Sequence, residues 1–187
     1  VCFLINGISY TAVIIALFLM KITPLKTENN RQRIWESMKE GFIYTFGFPP
    51  MRFILVLMGL VSLVVMPYAV LLPACAKDVL HGNSRTLGFL MGAAGTGALA
   101  GAIFMAAKKG VRGLGKSIAV ATFMFGIGLV ILSYVSSVWL SLVLMVFIGF
   151  GIMVHMAASN TILQTIVDDD KRGRVMGFYV MAFIGLT

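Results

Sequence analysis

The 187-residue chain is 59% hydrophobic and only 12% charged, with a mean hydropathy of +0.97 and a formal net charge of +8. Soluble domains carry about 25% charged residues, so this composition excludes a water-covered globular surface. The basic residues stand between apolar runs rather than on one face or in one tail, which excludes a nucleic-acid partner.

In chain order, Val1–Met20 is apolar from its first position. It is too long for a signal-peptide core and has neither a basic n-region nor a small-residue cleavage site. It is read as a membrane span, with Asn6 packing inside it. Residues 21–52 follow as a polar linker. Within it RQRIWESMKEGFIYTF has a helical period: Ile34, Met38, Phe42 and Ile43 near one face, Glu36, Lys39 and Glu40 on the other. This predicts an amphipathic helix on the membrane surface, with an ordinary solvated linker helix as the alternative, ended by Phe48-Pro49-Pro50. Five further apolar segments predict spans at Phe53–Ala76, Leu87–Ala107, Ser117–Val135, Val138–Val167 and, cut short, Val175–Thr187. Lengths near ~20 residues fit a helix crossing the hydrocarbon core, whereas barrel strands are about half that and alternate. No Lys, Arg, Asp or Glu occurs from Ser117 to Val167. One helix of that length would far exceed the ~30 Å core, so a turn is placed at Ser136-Ser137. The fold class is all-α, a polytopic helical membrane protein. The chain opens without Met and stops inside an apolar stretch, and is read as an internal fragment of a longer protein.

Loop charge sets the orientation. The linker holds Lys21, Lys26, Arg31, Arg33, Lys39 and Arg52; the next loop on that side holds Lys108, Lys109, Arg112 and Lys116; the last holds Lys171, Arg172 and Arg174. The opposite loops hold only Lys77 and Arg85. The positive-inside rule puts the first set in the cytoplasm. The charge knot DDDKRGRVMG, Asp168–Gly177, is then a cytoplasmic turn. Asp168–Asp170 are expected to cap the following helix, leaving Arg172 and Arg174 to pair with acids elsewhere.

Inside the spans, Gly88/Gly92 and Gly97/Gly101 in GFLMGAAGTGALAGAIF are small-xxx-small pairs that let helices approach closely; static packing and a sliding surface both fit. Pro67 and Pro73 in VVMPYAVLLPAC predict bends, with Tyr68 at the first. His155, Ser159, Asn160 and Gln164 form the main polar set, as two i,i+4 pairs expected on adjacent faces. His155 is the one titratable group well inside a span. It is either a neutral histidine satisfied by a neighbouring helix or part of a substrate or proton path. Asn160 and Gln164 either join helices or line a polar cavity. Cys2 and Cys75 lie in apolar surroundings and read as small buried residues, with no disulfide framework or metal spacing. No nucleophile–base set, paired intramembrane carboxylates or GxxxxGK[ST] loop is present. Neither enzyme chemistry nor any cofactor is expected.

Four stretches carry a family resemblance: WESMKEGFIYTFGFPPMR, SLVVMPYAVLLPACAKDVLHG, LGFLMGAAGTGALAGAIF and ASNTILQTIVDDDKRGRVMGFYVMAFIGL. In order and spacing they resemble a major facilitator superfamily transporter, from the branch of bacterial enterobactin exporters and macrolide efflux proteins. The resemblance implies a partial major facilitator fold, mainly its C-terminal half. Residues 1–20 would be span six, 21–52 the cytoplasmic linker, and 53–187 spans seven to a truncated eleven. It also implies a multi-pass protein of the bacterial inner membrane, an efflux permease exporting a small molecule such as a drug or siderophore by alternating access. The partners implied are the lipid bilayer, the substrate, a coupling proton and the N-terminal half of the same protein. Tyr68, His155, Asn160 and Gln164 would be substrate-path candidates. Asp169, Asp170, Arg172, Gly173 and Arg174 would be cytoplasmic gate residues. Gly88, Gly92, Gly97 and Gly101 would pack helices. Asp168 stands where relatives often have proline, and Lys108–Lys116 lacks the acid of the superfamily's fuller inter-helix motif. The alternatives are a lysophospholipid transporter and a non-transporting membrane scaffold or receptor.

Overall fold

The computed structural model describes residues 2–19, 31–108 and 110–184, helices joined by short connections with no strand among the described residues. The side chains of Asn6, Ile34, Glu36 and Met38 lie outside what is described, as do residues 20–30 and 185–187. The helices are α1 (Cys2–Leu19), α2 (Arg31–Gly47), α3 (Pro49–Ala74), α4 (Ser84–Ala107), α5 (Leu114–Tyr134), α6 (Val138–Ile166) and α7 (Arg172–Ile184). The chain divides into two units, Val1–Glu36 and Ser37–Thr187. The first contains α1, whose side chains from Val13 to Leu19 are exposed.

The second unit holds four helices long and apolar enough to cross a membrane: α3 with its extension to Val79, α4, α5 and α6. Several start earlier than the apolar runs do, because a helix begins at its cap rather than at its first greasy residue. Pro49 and Pro50 occupy the first positions of α3, where a missing N–H costs nothing. α3 therefore starts at Pro49, not Phe53. Asn83 caps α4: its side chain accepts from the Arg85 and Thr86 N–H groups, and Thr86 returns a bond to the Asn83 N–H. α4 thus starts at Ser84 rather than Leu87. α5 starts at Leu114 and α7 at Arg172, so each includes residues the hydropathy pattern left in a loop. α3 is helical through Pro67 and Pro73 and ends in a single π turn, Cys75–Val79, closed by Leu80 N–H donating to the Cys75 carbonyl at 3.1 Å. The α5–α6 turn falls at Val135–Ser137, at the expected serine pair.

α6 is the hub. With 29 residues at 1.5 Å each it is roughly 43 Å long, more than the ~30 Å core requires. α4 and α5 each pack along it and scarcely touch one another. Glycine makes the α4–α6 contact possible. A Cβ on Gly97 would land on the Val146 carbonyl, and one on Gly149 would land on the Ala94 carbonyl. Gly101 lies under the Phe150 carbonyl, 3.0 Å from where its Cβ would be. On the α5 side, Gly151 sits against Ala121 and Gly128 against Ile148. α7 packs on α3 instead, through Val175 and Tyr179 against Met51, Leu55 and Met58. Ser62 Oγ also donates to the Phe183 carbonyl.

Candidate functional site

Tyr68, His155, Asn160 and Gln164 fall into three contact sets. Tyr68, half-buried on α3, donates its hydroxyl to Met145 Sδ at 3.0 Å. Met145 is fully buried two turns into α6, so Tyr68 is packed against that end of the bundle. His155 lies almost three turns further along α6, buried at 1% exposure. Its Nδ1 is 2.8 Å from Thr122 Oγ1, and that hydroxyl is also 2.8 Å from the Ile118 carbonyl. Thr122 has one proton to give. Donated to Ile118, it leaves the threonine oxygen to accept from an imidazole Nδ1–H; donated to Nδ1, it leaves the proton on Nε2, so the threonine rotor and the tautomer are coupled. Nε2 is buried without a partner among the described residues, as is the Ser159 hydroxyl one turn on.

Asn160 and Gln164 form the third set. Gln164 Nε2 donates to Asn160 Oδ1 at 2.9 Å, and Gln164 is exposed. The two i,i+4 pairs of α6 are not on adjacent faces as the sequence reading held. Five residues at about 100° each separate His155 from Asn160 by roughly 140°. The first pair turns into the bundle toward α5; the second turns out of it. Tyr68 contacts Met145, His155 contacts Thr122 and Gln164 contacts Asn160, three separate contacts.

The charge knot is a further cluster of contacts. Asp168 accepts from the Tyr44 hydroxyl at 3.0 Å and faces Lys171 Nζ at 3.8 Å, while Lys171 also sits 4.3 Å above the Tyr44 ring. Asp169 pairs with Arg172 at 2.6 Å. These carboxylates engage side chains three residues on rather than capping α7 through hydrogen bonds, because the turn at Asp168–Lys171 brings i and i+3 together. Arg172 is thus held locally. Arg174 does reach an acid elsewhere, Glu40 on α2, at 3.5 Å. Beside it a Cβ on Gly41 would meet the Arg174 and Phe178 side chains at 3.4 Å, and Phe42 meets Phe178 edge-on at 6.1 Å. The face of α2 turned to the bundle is therefore Gly41 and Thr45, both buried, and Ile43 stays 60% exposed. Asp170 is exposed, and Gly173 has no neighbour within 4 Å of where a Cβ would sit.

Thr122, Met145, Glu40 and Tyr44 are the partners that sequence reading did not pick out. Thr122 had a signal, being the one threonine in the uncharged run of α5. The others had none, since Met, Glu and Tyr are ordinary in a span and in a linker.

A protein-family model described as transmembrane secretion effector, within the major facilitator superfamily, matches residues 1–187. No curated protein and no solved structure matches the chain.

Proposed function

The chain belongs to the transmembrane secretion effector family of the major facilitator superfamily, and from that premise we propose that it works as a secondary active efflux permease. It exports a small molecule, such as a drug or siderophore, across the bacterial inner membrane by alternating access. The substrates are of the kind handled by the enterobactin-exporter and macrolide-efflux branch, and the coupling ion is a proton. The match along residues 1–187 carries this reading; the four span-length apolar helices support it. In such a carrier two helical halves rock about a site near the bilayer midplane. Here the bundle from α3 to α7 would rock against an N-terminal half of the same protein.

Within this reading the residues divide by what already holds them. Asn160 and Gln164 stand on the outward face of α6 and keep spare amide donors and acceptors for a substrate. His155 and Tyr68 are engaged by Thr122 and Met145; their role is to hold the path's walls. The knot is the cytoplasmic gate, where Arg174–Glu40 and Tyr44–Asp168 tie the linker helix to the α6–α7 turn.

The test is energised efflux of a lipophilic dye from cells expressing the protein, at matched membrane abundance. Arg174→Glu and Glu40→Arg are each expected to slow efflux severalfold, and the charge-swapped double variant to recover it. If single and double variants all run at the unaltered rate, the pair is no gate. If no gradient-dependent flux is found for dyes but lysophospholipid moves, the substrate class is the other one. If nothing moves, the carrier reading falls to a membrane scaffold or receptor.

A further inference from the structure

α4 and α5 both lean on α6 but scarcely on each other, and near the α4–α5 loop they leave a gap. A cavity of about 380 Å³ opens there. Phe104 of α4 and Val120 and Met124 of α5 are its walls; Phe150 and Val154 of α6 are its floor. Phe104 and Val120 are substantially exposed, so the groove opens away from the packed core. At the loop end the lining changes character, to Lys108, Gly113, Lys116 and Ser117.

The lysines are placed, not merely nearby. Lys108 Nζ donates to Ser117 Oγ, crossing the mouth from the end of α4 to the first turn of α5, and lies 5.1 Å over the Phe104 ring. One of its three donors is used in this way; no carboxylate lies within 4.0 Å of Lys108 or Lys116 among the described residues. The loop from Lys108 to Lys116 contains no acid at all. α5 begins at the same mouth with Gly113 as its N-cap, which supplies no side chain to the first-turn N–H groups. The positive end of the α5 dipole therefore adds to the two ammonium groups. An apolar groove in the hydrocarbon region, ending in unneutralised positive charge at the interface, is complementary to one kind of molecule.

We propose that this groove holds an acyl chain of an anionic phospholipid, with the lipid's phosphodiester seated on Lys108 and Lys116 at the mouth. The site is separate from the α6 face bearing Asn160 and Gln164 and from the α2–α7 charge knot. Its occupant wedges between α4 and α5, which scarcely touch each other, so it would act as a structural lipid that sets their separation.

The experiment is photocrosslinking of the full chain in bilayers, using phosphatidylglycerol with a diazirine in one acyl chain and mapping the adducts by mass spectrometry. Adducts are expected on Phe104, Val120, Met124 or Phe150. Unlabelled phosphatidylglycerol should compete them away, and phosphatidylcholine and inorganic phosphate should not. Lys108→Gln/Lys116→Gln should lower labelling at least severalfold, and Lys108→Arg/Lys116→Arg should keep it. Equal competition by phosphatidylcholine would overturn the proposal, since the groove would then be only apolar. Competition by inorganic phosphate would overturn it too, marking a free-anion site. The competition arms use the unaltered chain, so they decide the matter even if a lysine variant does not insert.

Discussion

Thr122 and His155 show how one polar pair is kept inside an apolar bundle. The imidazole is buried, its Nδ1 has a partner at 2.8 Å, and that partner is itself anchored to the Ile118 carbonyl. Interhelical hydrogen bonds of this kind contribute about 0.6 kcal/mol on average and up to about 1.7 kcal/mol in membranes. Thr122→Val keeps the shape and removes the hydroxyl; His155→Phe removes the ring nitrogens. A double-mutant cycle on chain unfolding in mixed micelles is expected to give a coupling within that range. A coupling of zero would mean the ring is held by something other than Thr122. The orphaned Nε2 and the Ser159 hydroxyl make the same neighbourhood a place where a buried water would be stabilised.

Between elements, the decisive contact is α4 on α6. Gly97 and Gly101 face the α6 backbone, whereas Gly88 and Gly92 meet nothing within 4 Å. Nine residues separate Gly88 from Gly97, two and a half turns, so the two small-xxx-small pairs lie on opposite sides of one helix. Gly97→Leu is expected to cost about 1–3 kcal/mol or more, as overpacking against a backbone does. Gly88→Leu should stay within about 0.5 kcal/mol. Thermal unfolding of the two variants in the same detergent reads the difference, and equal melting shifts would refute the assignment of faces. The contrast also says what the sequence could tell. Where the four long helices α3 to α6 lie was legible, because hydropathy over ~20 residues is a strong signal. Which glycine pair packs and which way each polar pair of α6 turns were not, although the angular step between pairs was there to be counted. The choice of partner helix depends on tertiary packing, and neither Glu40 nor Met145 carries a local mark of the residue it meets. In the charge knot the sequence foretold that Arg174 would reach an acid elsewhere. It misjudged the aspartates, whose i,i+3 side-chain pairs the turn favours over capping.

At the scale of the whole molecule, packing and charge give one testable topology. The linker helix α2 is joined to the α6–α7 turn by Tyr44–Asp168 and Glu40–Arg174, so both must lie on the same side of the membrane. The Lys108–Lys116 loop lies at the end of α4 reached after one crossing from the Gly82 side and, by the parity of α5 and α6, shares the side of that turn. Lys39, Arg52, Lys108, Arg112, Lys116, Lys171, Arg172 and Arg174 are then on one side and Lys77 and Arg85 on the other, and the positive-inside rule predicts that the first side is the cytoplasm. With Cys2 and Cys75 replaced by alanine, single cysteines report each loop to a membrane-impermeant maleimide. Ser84→Cys and Ser136→Cys are expected to label in intact cells. Arg112→Cys and Asp170→Cys are expected to label only after permeabilisation. The opposite pattern would invert the bundle and put the charge knot outside, where it could not serve as a cytoplasmic gate. Labelling of Ser136→Cys and Asp170→Cys from the same side would be worse for the fold itself, because α6 would then fail to cross.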